Sequence, residues 1–334
     1  MVEQRGKERE TILITGGTGF VGGHLIDYIL SQPSSFQVVG LGRSSALHPN
    51  RNNPRLKFYQ VELNDRVAVT ALLDEVRPNR IFHLAAQSFP GLSFADPTGT
   101  LNNNLNTTLN LFEAVRTVGL AEYSRILSAG SGDQYGFILP EELPVLETNP
   151  FRPANPYAVS KITQEMLGYQ YFRSYGLQII TTRAFNHLGP GQSDQLAVSS
   201  FARQLALIEA GQIEPVLKVG NLEARRDYTD VRDIVRGYWL ALDAKECKVG
   251  EVYNLCSGQS YKMADILELL LNLTNCTLTV LFDPSRARPS DIPQICGDYS
   301  KFHQATGWQP QIQLEQSLQD LLDYWRNRVK VGTV

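Results

Sequence analysis

TILITGGTGFVGGHL, residues 11–25, joins a short apolar run to a glycine-rich turn and then to an amphipathic stretch. Thr11 to Gly16 has the β-branched and aliphatic composition of a strand, and Phe20 to Leu30 carries helical periodicity. Gly16, Gly19 and Gly22 fall between them at three-residue spacing. Glycines there let the backbone turn tightly and approach a pyrophosphate, which the N-terminus of the following helix stabilises through free N–H groups and its dipole. A glycine triplet alone carries little information, but between a first strand and a helix it predicts a dinucleotide-binding turn made by Gly16, Gly19, Phe20, Val21 and Gly22.

The alternation that begins there continues. QVVGLG (37–42), LKFYQVEL (56–63), RIFHLAA (80–86), SRILSAG (124–130) and LQIITTRAF (177–185) read as further strands. Helical patterns separate them at about 65–76, stopped by Pro78, and at about 98–118 and 155–175. Six strands alternating with helices over the first 185 residues predict an α/β fold, a Rossmann-type doubly wound parallel sheet that binds its ligand at the carboxyl ends of the strands. Beyond Asn186 the order is less regular. Strand-like VLKVG, EVYNL and LTVLF mix with helices near 196–210, 231–243, 262–273 and 314–328, which predicts a smaller, interleaved C-terminal lobe. The expected division is 1–185 plus about 227–257 for the dinucleotide-binding domain, and about 186–226 plus 258–334 for the substrate lobe.

The chain has 334 residues, enough for a sizeable core, with 31 basic against 34 acidic residues. No basic surplus suggests nucleic acid, and no polybasic run suggests a membrane surface. The charged opening MVEQRGKERE has no signal-peptide core and no run of 18 apolar residues occurs, so a soluble cytoplasmic protein acting on a small molecule is expected. Cys247, Cys256, Cys276 and Cys296 have no CxxC spacing, so reduced thiols and no metal site are expected.

Three local features carry chemistry. After the second strand stands LGRSS, where an acidic residue would contact the ribose hydroxyls of NAD. Arg43 suits a 2′-phosphate, which favours NADP (NADPH) while leaving NAD possible; the other reading of Arg43 is a solvated surface arginine. In LSAGSGDQYG (127–136), Ser131 and Asp133 leave a strand end, where they serve equally as turn chemistry or as reacting groups. PYAVSK places Tyr157 and Lys161 four residues apart on one helical face. A phenolate and an ammonium about 4 Å apart at a dielectric near 20 attract by roughly 4 kcal/mol, which predicts a Tyr157 phenol lowered toward neutral pH. A serine hydroxyl at a neighbouring strand end would then hold the substrate oxygen, and Ser131 is placed for that.

GxxGxxG, a serine ahead of YG, and YxxxK together resemble the short-chain dehydrogenase/reductases, and FHLAAQS (82–88) resembles their extended branch acting on nucleotide sugars. RAFNHLGPGQS (183–193), VGNLEARRDYTDVRDIV (219–235) and ARPSDIP (287–293) are similar to the GDP-mannose 4,6-dehydratase and GDP-4-keto-6-deoxymannose reductase subgroup. The resemblance covers most of the chain. It implies catalytic roles for Ser131, Tyr157 and Lys161, and a cofactor lining of Leu84, Ala85, Ala86, Gln87, Ser88 and His187. It implies GDP-sugar contacts from Asn186, Lys218, Arg225, Arg288 and Asp291, and a homodimer through helices near 98–118 and 155–175. Two positions depart from the family pattern: Glu62 and Leu63 stand where Asp and an apolar residue usually meet adenine, and Thr107 replaces the glycine of the Asn-x-x-Gly motif begun by Asn104.

Within that subgroup the dehydratase needs an extra carboxylate to move the C5 proton, and it carries glutamate where this chain has Asp133. Aspartate is one methylene shorter, which withdraws the carboxylate by about 1.5 Å. FNHLGPGQS and GSGDQYGFILPEE resemble the reductase more closely. The expected reaction is therefore NADPH-dependent reduction of the C4 ketone of GDP-4-keto-6-deoxy-D-mannose to GDP-D-rhamnose, with the dehydratase as the alternative and an epimerase or a non-catalytic NADP-binding protein further off.

Overall fold

The computed structural model describes residues 10–33, 35–42, 48, 50–286 and 292–333. Arg43, Arg288 and Asp291 lie outside the described residues. The first half runs β1 (Thr11–Thr15), α1 (Phe20–Ser31), β2 (Gln37–Gly42), β3 (Leu56–Gln60), α2 (Arg66–Val76), β4 (Arg80–His83), α3 (Pro90–Ala95), α4 (Pro97–Thr117), β5 (Arg125–Ser131), α5 (Pro156–Tyr175) and β6 (Gln178–Ala184). The second half runs β7 (Asn186–Leu188), α6 (Ala197–Glu209), β8 (Val216–Val219), β9 (Arg225–Asp230), α7 (Val231–Asp243), β10 (Val252–Leu255), β11 (Ser260–Lys262), α8 (Met263–Leu271), β12 (Thr279–Phe282), α9 (Ser300–Thr306) and α10 (Leu314–Lys330).

Local chemistry sets the boundaries of the helices that frame the site. Asp65 caps α2 by accepting from the N–H groups of Val67 and Ala68 at 3.0 and 3.1 Å. The helix stops at Arg77, in the left-handed region, just before Pro78. Asn155 caps α5 by accepting from Ala158 N at 2.8 Å, Pro156 occupies its first position, and Gly176 ends it at φ 72°.

The main sheet has the order β10-β6-β5-β4-β1-β2-β3 with every neighbouring pair parallel. This is a doubly wound sheet whose order reverses between β1 and β4, where such sheets bind ligands. Its strands bury both faces, and their two-residue period sorts side chains between two cores. Ile12, Ile14, Val38, Phe82, Leu127 and Ile180 pack on the α1 and α7 side. Leu13, Val39, Ile81, Ile126 and Ile179, one residue out of phase, pack toward α2, α4 and α5.

A three-stranded sheet, β11-β9-β7, and a two-stranded sheet, β12-β8, belong with α6, α8 and α10 to a smaller lobe with its own apolar core. Among the described residues no helix is long and apolar enough to cross a membrane, and no cluster of His, Cys, Asp and Glu fits a metal ion.

The elements differ from the sequence reading in instructive places. β3 ends at Gln60, not at Leu63, and β4 ends at His83, not at Ala86, because the following residues turn out of the sheet into the ligand cleft. The single helix expected at 98–118 is preceded by a separate short α3, with Asp96 capping α4 by accepting from Gly99 N at 2.8 Å.

Candidate active site

A cleft of about 500 Å³ lies between the carboxyl ends of the main strands and the smaller lobe. Its floor is the turn after β1. Gly16 has φ 70°, and a Cβ on Gly22 would stand 2.2 Å from the Gly16 carbonyl oxygen, so α1 can begin this close to β1 only with glycine there. No side chain caps the first turn of α1, so its N–H groups face the cleft. A cradle of free N–H donors at a helix N-terminus fits the pyrophosphate of a dinucleotide. Phe20 beside it stacks on His187 with ring centroids 6.1 Å apart and planes 11° from parallel. Burial lowers the His187 imidazole's pKa, and its Nδ1 lies 2.9 Å from the Phe185 carbonyl.

The loop after β4 forms the next wall. Thr15 Oγ1 accepts from Leu84 N and Ala85 N, both at 3.1 Å, and lies 2.9 Å from His83 Nδ1, while His83 Nε2 lies 2.9 Å from Thr108 Oγ1. Leu84, Ala85, Ala86 and Ser88 line the cleft, as do Glu62, Leu63 and Thr107. Gln87 and Asn104 do not. Asn104 is fully buried behind the loop, where its Oδ1 accepts from Gln87 N at 2.7 Å and its Nδ2 donates to Gln87 O at 3.1 Å and Ser160 Oγ at 2.8 Å. Both residues therefore shape the loop from behind, since their polar atoms are spent on protein partners.

Opposite stand the groups at the ends of β5 and α5. Tyr157 and Lys161 are successive turns of one helix face, 8% and 4% exposed. Lys161 Nζ donates to the Ala129 carbonyl at 2.7 Å and sits 5.9 Å from the Tyr157 ring centroid. Ser131 ends β5 and begins a 3-10 turn (Gly132–Gln134), its hydroxyl accepting from Asp133 N at 3.2 Å and hydrogen-bonded to the Tyr157 side chain.

That turn is tied to the tyrosine's own helix. Gln134 Oε1 accepts from Ser131 N at 2.7 Å, and Gln134 Nε2 donates to Glu165 at 2.8 Å. Glu165 pairs with Arg183 on β6 at 2.6 Å in a site 3% and 5% exposed. A buried, fully hydrogen-bonded ion pair fixes geometry even where its net contribution to stability is small. Here it locks Ser131, Tyr157 and Lys161 into one rigid group.

The electrostatics correct one expectation. The Tyr157 phenol is raised well above the ordinary tyrosine range, first by burial and then by the charge of Asp133, which also lines the cleft. Burial pushes the Lys161 ammonium down to about 8. The lowering expected of a bare Tyr157–Lys161 pair is not seen, because both groups are buried and desolvation dominates each of them. Tyr157 is thus held as a proton donor.

On the lobe side the cleft is lined by Asn186 and His187 of β7, and by Asn221, Arg226, Tyr228 and Arg286. Arg225 faces away, donating to the Ser260 carbonyl at 3.0 Å, and Lys218 is exposed on β8 outside the cleft. The arginine that lines the cleft here is therefore Arg226, the neighbour of the Arg225 expected from the sequence. In RRDYTD, residues 226 and 228 share one face of the strand and 225, 227 and 229 the other. That two-residue period was the available signal for Arg226; Arg286 had none.

The family model for GDP-mannose 4,6 dehydratase matches residues 13–321. The GDP-6-deoxy-D-mannose reductase of Pseudomonas aeruginosa is 34% identical over 321 residues, covering 96% of this chain and 99% of that protein. The GDP-mannose 4,6-dehydratase of Vibrio cholerae is 28% identical, covering 94% and 93%. Among solved structures, RMD from Pseudomonas aeruginosa complexed with NADPH superposes with a TM-score of 0.83 at 33% identity, covering 96% of this chain and 99% of that one.

Proposed function

Because the chain belongs to the GDP-mannose 4,6-dehydratase family of extended short-chain dehydrogenase/reductases, we propose that it reduces the C4 ketone of GDP-4-keto-6-deoxy-D-mannose to GDP-D-rhamnose with NADPH. The observation that carries this reading is the arrangement of Tyr157: a buried phenol in the cleft, hydrogen-bonded to Ser131 and one helical turn from Lys161, is the group a ketone reduction needs as its acid. The similarity to a named reductase over nearly the whole chain supports the same reaction.

A nicotinamide held in the cleft would supply the hydride for C4. The glycine turn and the first turn of α1 hold the dinucleotide, with Arg43 as the residue for a 2′-phosphate. Ser131 hydrogen-bonds the ketone oxygen and orients it toward Tyr157. As negative charge develops on that oxygen, the Tyr157 O–H gives up its proton, and the nearby Lys161 ammonium steadies the phenolate left behind. Arg226 and Arg286, with Asn186, hold the diphosphate of the nucleotide sugar, a task for which guanidinium geometry is suited. Asp133 takes no proton in this scheme; its charge raises the phenol and so favours the acid form.

A homodimer is supported by the exposed apolar residues Val159, Met166 and Tyr169 on α5, beside α4. One observation favours a second reading: a carboxylate does line the cleft at Asp133, as dehydration at C5 and C6 would require. Purified protein given the 4-keto-6-deoxy sugar plus NADPH, and separately GDP-mannose plus NADP, distinguishes the two. Loss of NADPH absorbance in the first mixture alone is the expected result; keto sugar formed in the second would establish the dehydratase.

A further inference from the structure

Asp227 sits on β9 between two cleft-lining residues, Arg226 and Tyr228, and is itself fully buried on the other face of the strand. Its Oδ1 accepts from Ser257 N and Ser257 Oγ, both at 2.7 Å, and its Oδ2 accepts from Gly258 N and Gly297 N, both at 3.1 Å. One carboxylate thus joins β9 to the turn between β10 and β11 and to the segment 292–297.

That segment reaches Arg226 by another route. Arg225 N donates to Pro293 O at 2.8 Å, Ile295 N donates to Arg225 O at 3.1 Å, and the Arg226 guanidinium donates to Ile292 O at 2.6 Å. The carbonyl that orients the cleft arginine and the N–H held by Asp227 lie at the two ends of the same short stretch of chain.

We propose that Asp227 is a positioning residue for nucleotide-sugar binding, its carboxylate fixing the 292–297 segment so that Ile292 O aims the Arg226 guanidinium into the cleft. The identity of the ligand rests on the reading above; the tether itself does not. All four donors to Asp227 are neutral N–H or O–H groups, so an ionised carboxylate satisfies them all, whereas a proton on Oδ2 confronts the N–H of Gly258 or Gly297. Burial pushes the Asp227 carboxyl up to about 6 against those hydrogen bonds.

The groups facing it are Cys256 beside the turn, Cys296 and Asp298 flanking Gly297, and Tyr261 on β11. Both thiols are pushed up, Cys296 to about 11, and stay neutral below pH 8. The competent form is the ionised one, present above pH 6 and lost as the pH falls through it.

The test uses GDP-mannose, whose diphosphate is esterified at both ends and does not titrate in this range. With the wild-type protein saturated with NADP, its Kd measured by calorimetry should weaken about tenfold from pH 7.5 to pH 5, as one group near 6 requires. Asp227→Asn should weaken binding about tenfold at pH 7.5 and remove most of the pH dependence, while the Kd for NADPH matches wild type at each pH. A variant that binds GDP-mannose within twofold of wild type with the same pH profile overturns the proposal.

Should the variant not fold, a flat wild-type profile from pH 5 to 7.5 overturns it equally. If neither protein binds GDP-mannose, the titration is repeated with GDP-4-keto-6-deoxy-D-mannose, and no binding there means that the nucleotide-sugar reading fails. Hydrogen exchange at Ile295 and Gly297 then decides the tether: faster exchange in Asp227→Asn at pH 7.5 supports it, and unchanged exchange overturns it.

Discussion

Replacing Tyr157 with Phe removes one hydroxyl and leaves the ring that packs beneath the cleft. The hydroxyl is the proposed acid, and losing a positioned acid typically costs about 10²- to 10⁴-fold in rate. At about 1.4 kcal/mol per decade, kcat for the keto sugar should fall by an amount worth roughly 3–5 kcal/mol. The fold should barely register the change. Ser131 Oγ keeps its bond from Asp133 N at 3.2 Å, so no hydroxyl is orphaned, and the one hydrogen bond lost contributes about 0.5–1.5 kcal/mol. Single-turnover loss of NADPH absorbance gives the chemical step, fluorescence titration gives the NADPH affinity, and a thermal melt checks the fold. A variant that folds, binds NADPH and turns over within about threefold of wild type would refute the assignment of Tyr157 as acid.

Three further outcomes follow from the same geometry. Asp133→Asn should keep at least about a tenth of the ketone reduction, because the carboxylate transfers no proton, and should lower the Tyr157 pKa by removing a negative neighbour; a loss as large as that of Tyr157→Phe would give Asp133 a chemical role. Arg226→Ala should raise KM for the nucleotide sugar about 10- to 100-fold by losing charged hydrogen bonds, while Arg225→Ala, on the other strand face, stays within about threefold; steady-state kinetics on both variants decides which arginine faces substrate. In the cofactor-free protein Lys161 loses its proton as the pH rises past about 8, so kcat/KM for NADPH should decline about tenfold per unit above it; a profile flat to pH 9.5 would show that the ammonium is not required.

Strong periodic signals made the dinucleotide half readable. Thr11 to Leu30 combines strand composition, glycine spacing and helical period, and each points to the same element, as does the Pro156-led helix that carries Tyr157 and Lys161. The lobe was harder because the strands of its three-stranded sheet are short and polar. β9 reads RRDYTD, with four charged residues in six, and β7 and β11 are three residues each, so no hydrophobic alternation announces them. Without β9 as a strand, Arg225 and Arg226 are interchangeable in sequence; the pleat separates them. Asn104 could not be told from a cofactor contact because its value lies in long-range bonds to Gln87 and Ser160. The Tyr157 protonation state depends on burial and on the neighbouring Asp133 charge, neither of which is visible in a four-residue spacing.

The most direct test of the central claim follows the hydride itself. The protein is incubated with GDP-4-keto-6-deoxy-D-mannose and NADPH carrying deuterium at the transferable position of the nicotinamide, and the sugar product is read by proton NMR. The expected product is a GDP-6-deoxyhexose with one deuterium at C4, formed with stoichiometric NADPH consumption. A product with no deuterium at C4, or keto sugar recovered unchanged while the protein converts GDP-mannose with NADP, would contradict that claim.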